Sequence, residues 1–167
     1  MPDYSKIAFI SIGSNLGNPK DNVLKAIETL NSYSRQPPLI SSLWKTEPLD
    51  CPPNSPSFVN AVVGIYPYIG ETPEDILEKL LSLEKSFGRQ PKKILNEPRP
   101  IDLDLITFGY ETRITDKLVL PHPRATTRAF VLAPLNEIAP DFIFPKQQKT
   151  VSQLLKELPP QKIEKLE

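Results

Sequence analysis

Cysteine occurs once in the 167 residues, so no disulfide can close within the chain, and Cys51 fits a reducing compartment. An excess of charge is missing as well. Twenty Lys and Arg balance twenty Asp and Glu, which leaves no whole-molecule field to favour nucleic acid or an anionic membrane and makes any anion site local. No apolar run approaches the roughly 20 residues of a membrane span. The opening MPDYSKIAFISIG is too short, and too polar around its apolar run, for a signal peptide. A cytoplasmic chain is expected. The glycine-rich turn GSNLGN is not followed by the Lys and Ser or Thr of a Walker loop, so a nucleotide would not be cradled in that way.

Proline, by contrast, is abundant: 20 residues, more than twice the usual share of about 5%, scattered singly or in pairs as punctuation. Between these breaks the periodicity is regular. IAFISI alternates as a strand, and DNVLKAIETLNSY follows at helical spacing after Asp21, a candidate cap. LISSLWKT and SFVNAVVGIY read as two strands joined by the stiff loop EPLDCPPNSP. TPEDILEKLLSLEKSFG is a helix with Thr72 as cap, Pro73 at its first position and Gly88 as stop. The strand around IDLDLITF comes next, then a hairpin in ETRITDKLVLPH, a helix around ATTRAFVLAPLNEI and the short amphipathic TVSQLLKEL. The order strand, helix, strand, strand, helix, strand predicts an α+β fold with a ferredoxin-like βαββαβ core. Its antiparallel sheet would carry helices on one face, leave the other for ligands, and be followed by extra C-terminal elements.

The strand IDLDLITF holds the main chemical signal. Residues two apart on a strand share a face, so Asp102 and Asp104 project together while Leu103 and Leu105 pack behind them. A solvated polar face is one reading. The other is a cation site, because aspartate is depleted in strands and paired like charges are costly without a cation between them. Mg²⁺ is suited to it, being held by one or two carboxylates together with substrate phosphates. Arg99, just upstream, adds a forked donor for phosphate. Further basic residues, Arg89, Lys92 and Lys93, lie in the loop FGRQPKKILNEPR, whose composition suits either a solvated loop or a lid over phosphates. His122, the only histidine, precedes Arg124 and Arg128 at a turn and helix start, a second phosphate-facing cluster.

These residues resemble the 6-hydroxymethyl-7,8-dihydropterin pyrophosphokinase family over nearly the whole chain. The signature stands as Pro98, Arg99, Pro100, Ile101, Asp102, Leu103, Asp104. It is supported in order by IGSNLGNP, KTEPLDCPPNSPSFVNAV, EKSFGR and PHPRATTRAFVLAPLNEIAP. The resemblance implies transfer of pyrophosphate from ATP to the pterin hydroxymethyl group, giving AMP and the pterin diphosphate in folate biosynthesis. It further implies that Asp102 and Asp104 bind two Mg²⁺ ions and that Glu84, Arg89, Arg99, His122 and Arg128 serve ATP, with Arg89 and Arg99 also catalytic. Phe58 and Phe130 would sandwich the pterin, Asn60 would read its polar edge, and backbone near Thr46 and Leu49 would complete the pocket. Asn96 and Pro123 stand where some members carry tryptophan and tyrosine. A single monofunctional pyrophosphokinase domain over residues 1–167, acting as a monomer, is expected. The rival readings are a non-catalytic ferredoxin-like module that binds a nucleotide or pterin, and a metal-dependent glycosyltransferase using Asp-x-Asp. Retained arginines argue against the first, and the short chain against the second.

Overall fold

The computed structural model describes residues 2–47, 56–88 and 100–166. Strand β1 (Ala8–Ser14) is the second strand of a six-stranded sheet, flanked antiparallel by β4 (Phe58–Ile65) and β5 (Asp102–Phe108). Beyond β4 lie β2 (Leu39–Ile40) and β3 (Trp44–Thr46), and β3 is bordered in turn by β8 (Ile163–Lys165). A separate two-stranded ribbon, β6 (Arg113–Ile114) with β7 (Val119–Leu120), is the expected hairpin.

Alternation along the central strands decides which face is which. Ala8, Ile10 and Ile12 of β1, Ala61, Val63 and Ile65 of β4, and Leu103 and Leu105 of β5 all point one way. They bury against Val23, Ala26 and Leu30 of α1 (Pro19–Ser32) and Ile76, Leu80 and Leu83 of α2 (Pro73–Ser86). This is the predicted core with its two helices on one face. α2 starts as its sequence requires: Thr72 and Asp75 form a reciprocal capping box, Pro73 occupies the first turn, and Gly88 past the end adopts φ +80°. The cap of α1 is Asn18, whose side chain accepts from the Asp21 backbone N–H, and not Asp21 itself; Pro19 already begins the helix, which places Asp21 inside its first turn.

The opposite face is only half open. α3 (Ala129–Ile138) buries Ala129 and the unbroken run from Val131 to Leu135, with Phe130 half-buried between them, and so it must be covered. With α4 (Val151–Glu157), Phe142 and Phe144 it packs over Phe9, Val62 and Ile106. These C-terminal elements occupy part of the face expected to be free, while Asp102 and Asp104 on that face stay half-buried. LISSLWKT forms two short strands, since the Ser41 hydroxyl accepts the Val62 N–H and breaks the ladder. β8 was not expected, because three residues of mixed polarity carry no periodic signal.

Candidate active site

The sheet register builds the site. Asp102 pairs with Gly13, Gly13 with Asn60, and Asn60 with Trp44, so these four form one row across β5, β1, β4 and β3. Paired residues share a face, and two strand spacings separate Asp102 from Asn60 by about 10 Å. Asp104 lies in the neighbouring row opposite Ser11. Both aspartates are half-buried, whereas Leu103 and Leu105 behind them are in the core. Asp102 and Asp104 thus share one face of β5.

Glycine at 13 keeps the middle of the row low. A Cβ there would come within 3.0 Å of Asn60 Nδ2 and 3.8 Å of Phe58 Cδ1, so these side chains lean over the glycine. Asn60 is buried, and its Oδ1 accepts a 2.8 Å hydrogen bond from the Thr46 hydroxyl, also buried. Phe58 pairs with Thr46 and shares the face of Asn60.

Across the sheet, a cis Leu120–Pro121 bond leads into His122, whose backbone N–H donates to Ile106 O of β5 at 2.8 Å. The imidazole Nδ1 accepts from Arg124 N at 3.2 Å, so the neutral ring carries its proton on Nε2, which faces Asp104 Oδ1 at 3.9 Å. Burial, then Arg128 and Arg124, push His122 below its ordinary value of 6.5 against the opposing pull of Asp102. Burial also lowers Arg128; Asp104 opposes that shift, Arg124 adds to it and Asp102 opposes it. Arg128 therefore belongs to the electrostatic neighbourhood of both aspartates. Its guanidinium carbon lies 5.3 Å from the centre of the Phe130 ring, which ties the two residues together at the start of α3.

Glu84 is buried on α2, on the far side of β5 from the open face, and its Oε2 accepts the Leu103 N–H at 2.8 Å. Arg89, Arg99 and Leu49, with the proposed lid from Arg89 to Pro98 and with Lys92, Lys93 and Asn96, lie outside the described residues. Sequence reasoning missed Asn22, whose side-chain amide is within hydrogen-bonding distance of Ser14 Oγ, Leu16 O and Pro100 O. It ties the turn after β1 to the approach to Asp102. Asn22 sits near the start of α1, and no pattern within that segment pointed that way.

Two half-buried carboxylates on one face fit Mg²⁺, which takes few protein oxygens and leaves positions for water and phosphate. Among the described residues there is no group of three or more His, Cys, Asp or Glu able to hold a metal ion. A cation here would thus draw its other ligands from elsewhere. Among the same residues no helix is long and apolar enough to cross a membrane.

Comparison with known proteins bears on what this geometry serves. Residues 9–140 match the family model described as 7,8-dihydro-6-hydroxymethylpterin-pyrophosphokinase (HPPK). A 2-amino-4-hydroxy-6-hydroxymethyldihydropteridine pyrophosphokinase of Haemophilus influenzae is 33% identical over 95% of this chain and 97% of its own length. Its counterpart in Synechocystis is 34% identical over 94% of this chain and 78% of its own. An Arabidopsis thaliana folate synthesis bifunctional protein is 36% identical over 77% of this chain, which spans only 26% of that longer protein. The solved wild-type Plasmodium falciparum HPPK-DHPS superposes with a TM-score of 0.68 at 14% identity, covering 90% of this chain and 40% of that one, so there the likeness is one of fold. With the family model covering most of the chain and near-full-length relatives above 30% identity, the chain belongs to the 7,8-dihydro-6-hydroxymethylpterin-pyrophosphokinase family, a family of transferases and not of passive binding modules.

Proposed function

We propose that the chain transfers pyrophosphate from ATP to 6-hydroxymethyl-7,8-dihydropterin, releasing AMP, and that the row Asp102, Gly13, Asn60 is its reaction axis. That row is the observation that carries the reading: a hydrogen-bonding amide at one end, a carboxylate at the other, and between them a glycine whose missing side chain lets Asn60 and Phe58 lean in. Phe58 and Phe130 offer ring faces for the pterin, and Asn60, fixed by Thr46, addresses its polar edge. Backbone near Thr46 and Leu49 completes that pocket. Arg128 supplies charge for the ATP phosphates, with Arg89 and Arg99 assigned the same work from the sequence motif. His122 is a neutral donor through Nε2 at ordinary pH, suited to a phosphate oxygen. Glu84 is assigned to the nucleotide side through its hold on the aspartate strand.

In the transfer, the pterin hydroxyl oxygen forms a bond to the β-phosphorus and the bond from that phosphorus to the α,β-bridging oxygen breaks. The hydroxyl gives up its proton to solvent, and AMP leaves with the bridging oxygen. Asp102 and Asp104 would hold Mg²⁺, two ions in our reading, which neutralises phosphate charge and favours ionisation of the hydroxyl. The protein's own part is positioning: stacking fixes the ring, the amide fixes its rotation, and the arginines fix the phosphates. We further place the reaction in a single domain over residues 1–167 and in a cytoplasmic monomer, in keeping with the lone cysteine and balanced charge.

The test is product formation. Purified protein given Mg²⁺, ATP and the reduced pterin should yield AMP and pterin diphosphate in equal amounts; absence of AMP would overturn the proposal.

A further inference from the structure

We infer that Gln161, far along the chain from every residue assigned above, is a positioning residue that sets Arg128 and Phe130 for both substrates. Its side chain makes two hydrogen bonds to one short segment. Oε1 accepts the Ala129 N–H at 2.9 Å, and Nε2 donates to Thr127 O at 3.0 Å. These two backbone groups stand on either side of Arg128.

The start of α3 needs such a partner. The first N–H groups of a helix have no acceptor within it, and Arg128, at the capping position, makes no side-chain capping bond. Gln161 supplies the missing acceptor from another part of the fold and, with the same amide, holds the preceding carbonyl. A planar amide bonded at both ends fixes the direction of the intervening residue as well as its place. Arg128 and Phe130 then leave the helix start in defined directions, with the guanidinium over the ring.

Gln161 is itself anchored on the pterin side. It stands two residues before Ile163, which pairs with Thr46, and Thr46 orients Asn60. The Lys162 carbonyl receives the Glu47 N–H at 3.3 Å, so the chain immediately after Gln161 is pinned to β3 and its continuation. The C-terminal strand thereby couples the strand that fixes Asn60 to the helix start that carries Arg128 and Phe130.

This inference rests on the reading of Arg128 as an ATP ligand and Phe130 as a pterin ligand. Gln161→Met keeps the length of the side chain and removes both hydrogen bonds. Affinity for a non-hydrolysable ATP analogue and for the pterin, titrated separately, should each fall roughly tenfold, the worth of one to two ordinary hydrogen bonds. Gln161→Glu keeps the acceptor for Ala129 and loses the donor to Thr127, so it should recover part of both losses. The decisive readout is coupling. In an Arg128→Ala background Gln161→Met should weaken the ATP analogue no further, and in a Phe130→Ala background it should weaken the pterin no further.

Additive losses in these double variants, or equal behaviour of the Met and Glu variants, would show a general structural role and overturn the inference. So would unchanged affinities in Gln161→Met where Arg128→Ala and Phe130→Ala do weaken their ligands, and that result would leave the site reading standing. If Arg128→Ala and Phe130→Ala themselves left both affinities intact, the site reading would fail and this inference with it.

Discussion

The Thr46 hydroxyl donates to Asn60 Oδ1 at 2.8 Å inside the protein, and this bond settles which way the asparagine amide faces. With the oxygen engaged, Nδ2 is turned over Gly13. Asn60→Ala should therefore cost roughly 1 to 3 kcal/mol of pterin affinity by leaving ligand groups unpaired, and Phe58→Ala a similar amount, roughly 1 to 3 kcal/mol, by loss of stacking. Gly13→Ala should act in the same direction by displacing the amide. Calorimetric titration with the pterin and with an ATP analogue separates the sites: loss of ATP affinity equal to that of pterin would refute the assignment.

Asp102→Ala and Asp104→Ala should each nearly abolish AMP formation while leaving the fold intact, since each removes a metal ligand. A near-normal rate for Asp104→Ala at saturating Mg²⁺ would sink the metal assignment.

Much of this was legible in the sequence because local signals and tertiary demands agree. Alternation in IAFISI, the capping box at Thr72 and Asp75, and the shared face of Asp102 and Asp104 need only neighbours along the chain to be read. Other features need partners far away. Ser41 interrupts a strand because of Val62, Asn22 reaches Pro100, and Gln161 caps a helix that begins at Ala129. No pattern in a single segment encodes such pairs. Phe58 and Phe130 illustrate a third case: their composition says core, and only the resemblance to a known family gives them a ligand.

Glu137 offers a pH-dependent test. Burial alone would raise its pKa, but hydrogen bonds from the Trp44 indole, the Ser42 hydroxyl, Lys165 and the Ser42 backbone outweigh burial and hold it below its ordinary 4.5. A carboxyl depressed on folding contributes stability that is present above the unfolded value and lost as pH falls through the folded one. Acidification below about 4.5 should thus loosen β3 and β8. Trp44 is the only tryptophan, so its emission reports the step directly. Glu137→Gln should remove the acid-dependent change; an unaltered titration in that variant would contradict the account.

Removing Glu84 should act on stability first. Glu84→Ala leaves the Leu103 N–H without its 2.8 Å acceptor, at a cost of about 1 to 3 kcal/mol. For a chain of this size that corresponds to a fall in melting temperature of roughly 2 to 4 °C per kcal/mol. A melting temperature equal to that of the parent protein would show that the bond contributes little.

The same Glu84 contact bears on how the molecule keeps to itself. Among the described residues β5 ends the sheet, and an end strand offers its outward N–H and C=O groups as a template for a strand from another chain. Here the Leu103 N–H is taken by a helix side chain and the Ile106 carbonyl by the His122 backbone, while β8 covers the outer side of β3. A carboxylate thus stands in for a seventh strand, and it terminates growth where a strand would continue it. Loss of that carboxylate should appear as increased light scattering on gentle heating, well before the fold itself melts.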